Sequence, residues 1–221
     1  MAVRAHAQAE ETVMRAQRAA LLRGVYAIVN EAAHPEPVEL TRAILEGGAR
    51  IVQYRAKSGI VPAHARALRD LTRAYGALFI VNDDWHAVDG YDADGVHLGP
   101  EDARAEDLAE IRAALADRVI GVSCGTPHEA RAAAQADYIG VGSVYATASK
   151  ADAGDPIGIA GLRAVAAQTS LPVAAIGGIT LASLPQIRAS GVAMAAVISA
   201  ISAAADPRAA TAALVRLWNG A

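Results

Sequence analysis

At 221 residues and 53% hydrophobic content the chain is long enough to bury a full core, either as one α/β barrel or as one to two smaller domains. Its net charge of -3 excludes a broad basic surface for nucleic acid or an anionic membrane, and leaves room only for a local basic pocket. A single cysteine, Cys124, excludes an intrachain disulfide and makes a cytoplasmic setting the default.

Residues 1–22 are rich in alanine and arginine, carry Glu10 and Glu11, and lack the apolar core of a signal peptide; they are expected to be an N-terminal extension, helical or disordered. No stretch has 18 consecutive apolar residues, so no membrane span is expected. From Gly24 onward short apolar runs alternate with helix-like segments. Strands are expected at 24–30, 51–54, 77–81, 95–98, 118–122, 137–141, 172–176 and 192–198. Helices are expected at 37–46, stopped by Gly47-Gly48, and at 61–75, with Pro62 in the first turn. Others are expected at 84–90, at 105–116, after a Thr126/Glu129 capping box, at 159–168, from a Thr180 cap to Ala189, and from Asp206-Pro207 to about Trp218. Eight strands with intervening helices predict a (β/α)8 TIM barrel as one domain over 23–221. An open doubly wound sheet is the alternative, but no strand leads into a GxGxxG turn.

Chemistry in a barrel sits at the C-terminal strand ends. Gln53, Arg55 and Lys57 alternate with Tyr54 and Ala56, which puts the first three on one side of extended chain. Two cations there suit a diphosphate, Arg55 as a bidentate donor and Lys57 as a point charge. Only two lysines occur, Lys57 and Lys150, so neither is routine surface charge. The third and fourth strands end in Asn82-Asp83-Asp84 and, beyond Leu98, Glu101-Asp102. Asp83 and Asp102 suit Mg²⁺, which takes oxygen ligands and is held by one or two carboxylates beside substrate phosphates. Asp84 and Glu101 are rivals by adjacency, and a plain acidic helix start is the bland reading. His97 reads as a structural strand-end residue, and His86 and His128 as surface residues. Gly177-Gly178-Ile179-Thr180 and Ser199 follow the seventh and eighth strands, where this fold commonly forms a phosphate cup. The long segment 142–158, with Thr147, Ser149 and Lys150, has the composition of a mobile lid.

These pieces together resemble the thiamine-phosphate synthase family. The matching stretches are QYRAK at 53–57, VND at 81–83, GVHLGPED at 95–102, GVS at 121–123, DYIGVGSVYATASK at 137–150, AIGGIT at 175–180 and VISAI at 197–201. The resemblance implies condensation of 4-amino-2-methyl-5-(diphosphooxymethyl)pyrimidine with 4-methyl-5-(2-phosphoethyl)thiazole, or its carboxylated form, to thiamine phosphate and diphosphate. It assigns Gln53, Tyr54, Arg55, Ala56, Lys57, Asn82, Ser123 and Lys150 to the pyrimidine diphosphate. It assigns Thr147, Ala148, Ser149, Gly178, Ile198 and Ser199 to the thiazole phosphate, and Asp83 and Asp102 to Mg²⁺. Arg55, Lys57 and Lys150 would stabilise the leaving diphosphate. Pro100, Ser143, Tyr145-Ala146, Ser149 and Cys124-Gly125 depart from the family pattern. Partners are expected to be small phosphorylated molecules, with a homodimer left open. The rival readings are a thiazole tautomerase, a sugar-phosphate isomerase or epimerase in which Asp83 and Asp102 move protons, and a non-catalytic sensor of a phosphorylated ligand.

Overall fold

A computed structural model describes residues 2–31, 34, 36–103, 105–149 and 154–220. Eight parallel strands close into a barrel in the order β1 to β8. They are β1 (Gly24–Asn30), β2 (Ile51–Arg55), β3 (Leu78–Asn82), β4 (Gly95–Leu98), β5 (Val119–Cys124), β6 (Tyr138–Val141), β7 (Val173–Ile176) and β8 (Met194–Val197). Closure pairs β1 with β8, Gly24 opposite Met194, so no strand edge is left exposed. The helices are α1 (Ala2–Ala19), α2 (Pro37–Glu46), α3 (Pro62–Ala74), α4 (Ala87–Gly90), α5 (Ala105–Ala114), α6 (Pro127–Ala132), α7 (Gly158–Ala166), α8 (Leu184–Ala189), α9 (Ser199–Ser202) and α10 (Pro207–Asn219). None of the described helices is long and apolar enough to cross a membrane.

Alternation along the strands sorts the core into two shells. Val25, Ala27, Val29, Val52, Phe79, Val81, Val96, Ile120, Ile139 and Ala195 face outward into the layer beneath the helices. Tyr26, Ile28, Ile51, Leu78, Ile80, Val119, Tyr138, Ala174, Met194 and Ala196 fill the barrel itself. Continuing the inward positions toward the C-terminal ends changes their chemistry. On β2 they run Ile51, Gln53, Arg55; on β3 Leu78, Ile80, Asn82; on β5 Val119, Gly121, Ser123; on β6 Tyr138, Gly140, Gly142. The apolar floor gives way to polar groups and glycines, and that gradient marks one rim of the barrel as the candidate site.

The opposite end is fastened by ions. Asp94 precedes β4, accepts the Phe79 N–H, and meets Arg69 at 2.7 Å and Arg18 at 3.3 Å. Asp137 precedes β6, accepts the Ile120 N–H at 2.8 Å, and pairs with Arg112. Arg18 of α1 also reaches Asp117, while Leu22 packs into the inner shell. The N-terminal extension is thus a helix docked on the barrel floor.

Two helix starts differ from expectation. The segment after Thr180 first forms a turn, and α8 begins at Leu184. Pro185 has no N–H and belongs in a first turn, while the Thr180 hydroxyl accepts from the Ser183 N–H. β8 ends at Val197, and Ser199, expected at the end of that strand, instead opens the short helix α9. The Thr126/Glu129 capping box forms as expected, and Asp206 caps α10 through the Ala209 N–H.

Candidate active site

Two groups of side chains gather on the rim. The first is ionic. Arg55 is buried at the end of β2, and its guanidinium donates to Asn30 Oδ1 at 3.3 Å. Lys57, just beyond, donates to Asp83 Oδ2 at 2.8 Å. Asp83 holds φ at 63°, a left-handed conformation that a non-glycine residue adopts at a cost and that recurs at functional sites. Across from it lies Gly99. A Cβ there would stand 3.2 Å from Asp102 Oδ2 and 3.8 Å from Asp83 Oδ1, so both carboxylates turn toward one small open space. Asp84 is occupied otherwise, its Oδ1 accepting the Ala87 N–H at the start of α4. Among the described residues no group of three or more His, Cys, Asp or Glu converges as a metal cage.

The second group lines a cavity of about 270 Å³. Ser123, Thr147, Ser149, Gly178, Ile198 and Ser199 all contribute to its wall. Ser149 Oγ lies 3.3 Å from Ser199 Oγ, joining the β6–α7 segment to the start of α9. That segment is anchored at its base: Val144 N–H donates to Ile176 O and Tyr145 N–H to Gly177 O. Gly178, with φ at 63°, leaves room for it, since a Cβ there would come within 2.5 Å of Ala146 O. Lys150, expected in the lid and on the diphosphate, lies outside the described residues. Pro100 and Cys124, departures from the family pattern, are part of the same wall. Burial, with Glu129 adding to it, pushes the Cys124 thiol up to about 12.

Not every residue singled out in the sequence points into this space. Tyr54 lies on the outer face of β2, where its hydroxyl donates to Glu31 Oε1 at 2.9 Å and sits beside His64. Burial and the Glu31 carboxylate push its phenol well above the ordinary range. Ala56 packs against the outer shell. His86 and His128 are exposed. Asn30, Tyr26 and Tyr138 were not singled out in the sequence, and His97 was read only as a structural strand-end residue. The available signal was inward register: Tyr26 lies four positions below Asn30 on the same face of β1, and Tyr138 four below Gly142 on that of β6.

The sequence model of a family described as "Thiamine monophosphate synthase" matches residues 25–201, which spans the barrel from β1 into α9. The chain belongs to that family. A thiamine-phosphate synthase of Caldivirga maquilingensis is 40% identical over 207 residues, covering 91% of this chain and 99% of the relative. One from Moorella thermoacetica is 44% identical over 180 residues, covering 78% and 84%. Among solved structures, a thiamine phosphate pyrophosphorylase from Pyrococcus furiosus superimposes with a TM-score of 0.80 at 38% identity, covering 90% of this chain and 96% of that one. In this member of the thiamine monophosphate synthase family the ionic group and the hydroxyl-lined cavity lie on the same rim of the barrel.

Proposed function

We propose that the chain joins 4-amino-2-methyl-5-(diphosphooxymethyl)pyrimidine to 4-methyl-5-(2-phosphoethyl)thiazole, or its 2-carboxy form, releasing thiamine phosphate and diphosphate, with Mg²⁺ as its metal. One observation carries this reading beyond family membership: the Lys57–Asp83 ion pair joins a cation set to a carboxylate set beside a separate cavity of hydroxyls and glycines. A substrate pair with a diphosphate on one partner and a monophosphate on the other needs two anion-handling regions on one rim. The same ion pair disfavours the isomerase reading, because Asp83 Oδ2 is set against the Lys57 ammonium at 2.8 Å and is not left open to a substrate hydrogen.

Gln53, Arg55, Lys57, Asn82, Ser123 and Lys150 take the pyrimidine diphosphate. Thr147, Ala148, Ser149, Gly178, Ile198 and Ser199 take the thiazole phosphate. Asp83 and Asp102 hold the metal. Two carboxylates facing one small space match the hard-oxygen preference of Mg²⁺, which completes its shell with water and substrate phosphate. When bound, the ion offsets negative charge on the diphosphate. Arg55 and Lys57 stabilise the charge that builds on the leaving group, and Lys150 joins them. The electron-rich aminopyrimidine supports a cation-like methylene, and the thiazole nitrogen, positioned by its distant phosphate, attacks it. No protein nucleophile is required. Incubation of the two substrates with and without Mg²⁺, followed by chromatography for thiamine phosphate, tests the assignment. Product should appear with the metal and fall sharply without it; no product with the metal present defeats the reading.

A further inference from the structure

A line of polar side chains crosses the barrel from β2 to β5 beneath the rim. Gln53 Nε2 donates to the Tyr26 hydroxyl at 2.6 Å. The Tyr26 and Tyr138 hydroxyls are 2.8 Å apart, Tyr138 lies 3.1 Å from His97 Nδ1, and His97 Nε2 lies 3.0 Å from Ser123 Oγ. The chain uses four strands besides β2 and both of its ends are residues of the proposed pyrimidine site. Space has been made for it. A Cβ on Gly121 would fall 2.1 Å from the Tyr138 ring, and one on Gly140 would fall 3.0 Å from His97 Cε1. Both glycines have ordinary backbone angles, so neither is there for a turn.

We infer that His97 is a positioning residue, a neutral imidazole protonated on Nε2, and that the line fixes Gln53 as a hydrogen-bond acceptor and Ser123 as a donor toward the pyrimidine. The direction follows from the Gln53 amide, whose nitrogen faces Tyr26 and can only donate. Tyr26 accepts that bond, and its own hydrogen goes to Tyr138. Both phenols are raised by complete burial, so each keeps its proton and has one hydrogen to give. Tyr138 then donates to His97 Nδ1. An imidazole accepting at Nδ1 carries its hydrogen on Nε2, which donates to Ser123 Oγ. If the line ran backward from His97 with the amide as it stands, the Tyr26 hydrogen would face the amide hydrogen, buried and without an acceptor in the line. Aligned donors also reinforce one another.

The two ends are then of opposite kind: Gln53 Oε1 can accept, and the Ser123 hydroxyl can donate. An aminopyrimidine presents the complement, an exocyclic N–H and ring nitrogens that accept. A 4-oxo analogue of the same diphosphate presents an oxygen where the amine stood and an N–H on the ring. A site with fixed donor and acceptor senses rejects the mismatched isostere strongly, because buried groups are left unpaired. The line thus makes the site selective for the amino over the oxo pyrimidine. This selectivity rests on the proposed pyrimidine reading of Gln53 and Ser123; the tautomer does not.

Long-range ¹H–¹⁵N correlation spectra of the uniformly labelled protein read the tautomer without any substrate. The His97 signal is assigned by its absence in His97→Gln, or by through-bond assignment if that variant does not fold. An Nε2–H tautomer is expected at neutral pH; an Nδ1–H tautomer or an imidazolium overturns the proposal. Tyr138→Phe removes the donor to Nδ1. It should release the tautomer and lower the ratio of kcat/KM for the amino over the 4-oxo diphosphate by roughly tenfold or more. Tyr26→Phe breaks the line at its other end; it should lower the same ratio and leave the tautomer in place. A merely structural defect would reduce both substrates alike, and an unchanged ratio in both variants defeats the selectivity. If the wild type makes no thiamine phosphate, the functional reading fails while the spectrum still decides the tautomer.

Discussion

Adding one methyl group at Gly99 tests whether Asp83 and Asp102 share a metal. The backbone there is not left-handed, so Gly99→Ala introduces no conformational strain. The new Cβ meets Asp83 Oδ1 at 3.8 Å, an ordinary contact, and Asp102 Oδ2 at 3.2 Å, tight by a few tenths of an ångström. Asp102 is exposed and can swing away, so stability should change by no more than about 0.5 kcal/mol. Mg²⁺ is less forgiving, requiring oxygens at about 2.0–2.1 Å in near-octahedral array. A displaced carboxylate with a methyl in the shared space should weaken the metal by about 1.4 kcal/mol, a tenfold rise in half-activating Mg²⁺. The assay is thiamine phosphate formation titrated with Mg²⁺ at saturating substrates, beside Asp102→Asn as a variant that removes one ligand charge outright. An unchanged Mg²⁺ curve in a normally folded Gly99→Ala protein would refute the shared site.

Asn30→Ala leaves Arg55 without its 3.3 Å partner; the KM for the pyrimidine diphosphate should rise about threefold to tenfold while that for the thiazole phosphate holds, measured by initial rates. Asp94→Ala strips both Arg18 and Arg69 of a buried partner, a loss of about 3–5 kcal/mol, so calorimetry should find the Tm lower by on the order of 10 °C with kcat/KM unchanged. Cys124, held neutral up to about 12, should resist iodoacetamide at pH 8 until denaturant is added, and rapid labelling of native protein would contradict its burial. Because the fold favours its protonated form, this thiol contributes full stability below its ordinary value of 9.0 and loses it as pH rises toward about 12; denaturant titrations across that range check the sign.

The barrel was legible because each buried strand interrupts a helical pattern, and β1, β4 and α2 fall on the expected residues. Boundaries failed where local chemistry outweighed pattern, as at Pro185, which delays α8, and at Ser199, where a four-residue helix is too short for any periodicity. The rim residues could be gathered from strand ends. On β2 their facing was legible too: alternation sets Gln53 and Arg55 apart from Tyr54, which turns outward to Glu31, although the family stretch at 53–57 had joined them. The line through Tyr26, Tyr138 and His97 was hidden for another reason. Its members are far apart in sequence, and only the closed sheet brings their hydroxyls and ring nitrogens within bonding distance.

Asp94 and Asp137 each hold the preceding strand twice, donating their own N–H to Phe79 O and Ile120 O and accepting the amides of those same residues. Stiffness along the barrel axis is therefore lopsided. The floor is cross-stitched at the very start of two strand pairs, by bonds that no ligand supplies, while the rim carries its carboxylates and cations on short connections. Any motion that accompanies substrate entry should therefore be confined to one end, and amides such as Phe79 and Ile120 should remain among the slowest to exchange with solvent whether or not the rim is occupied.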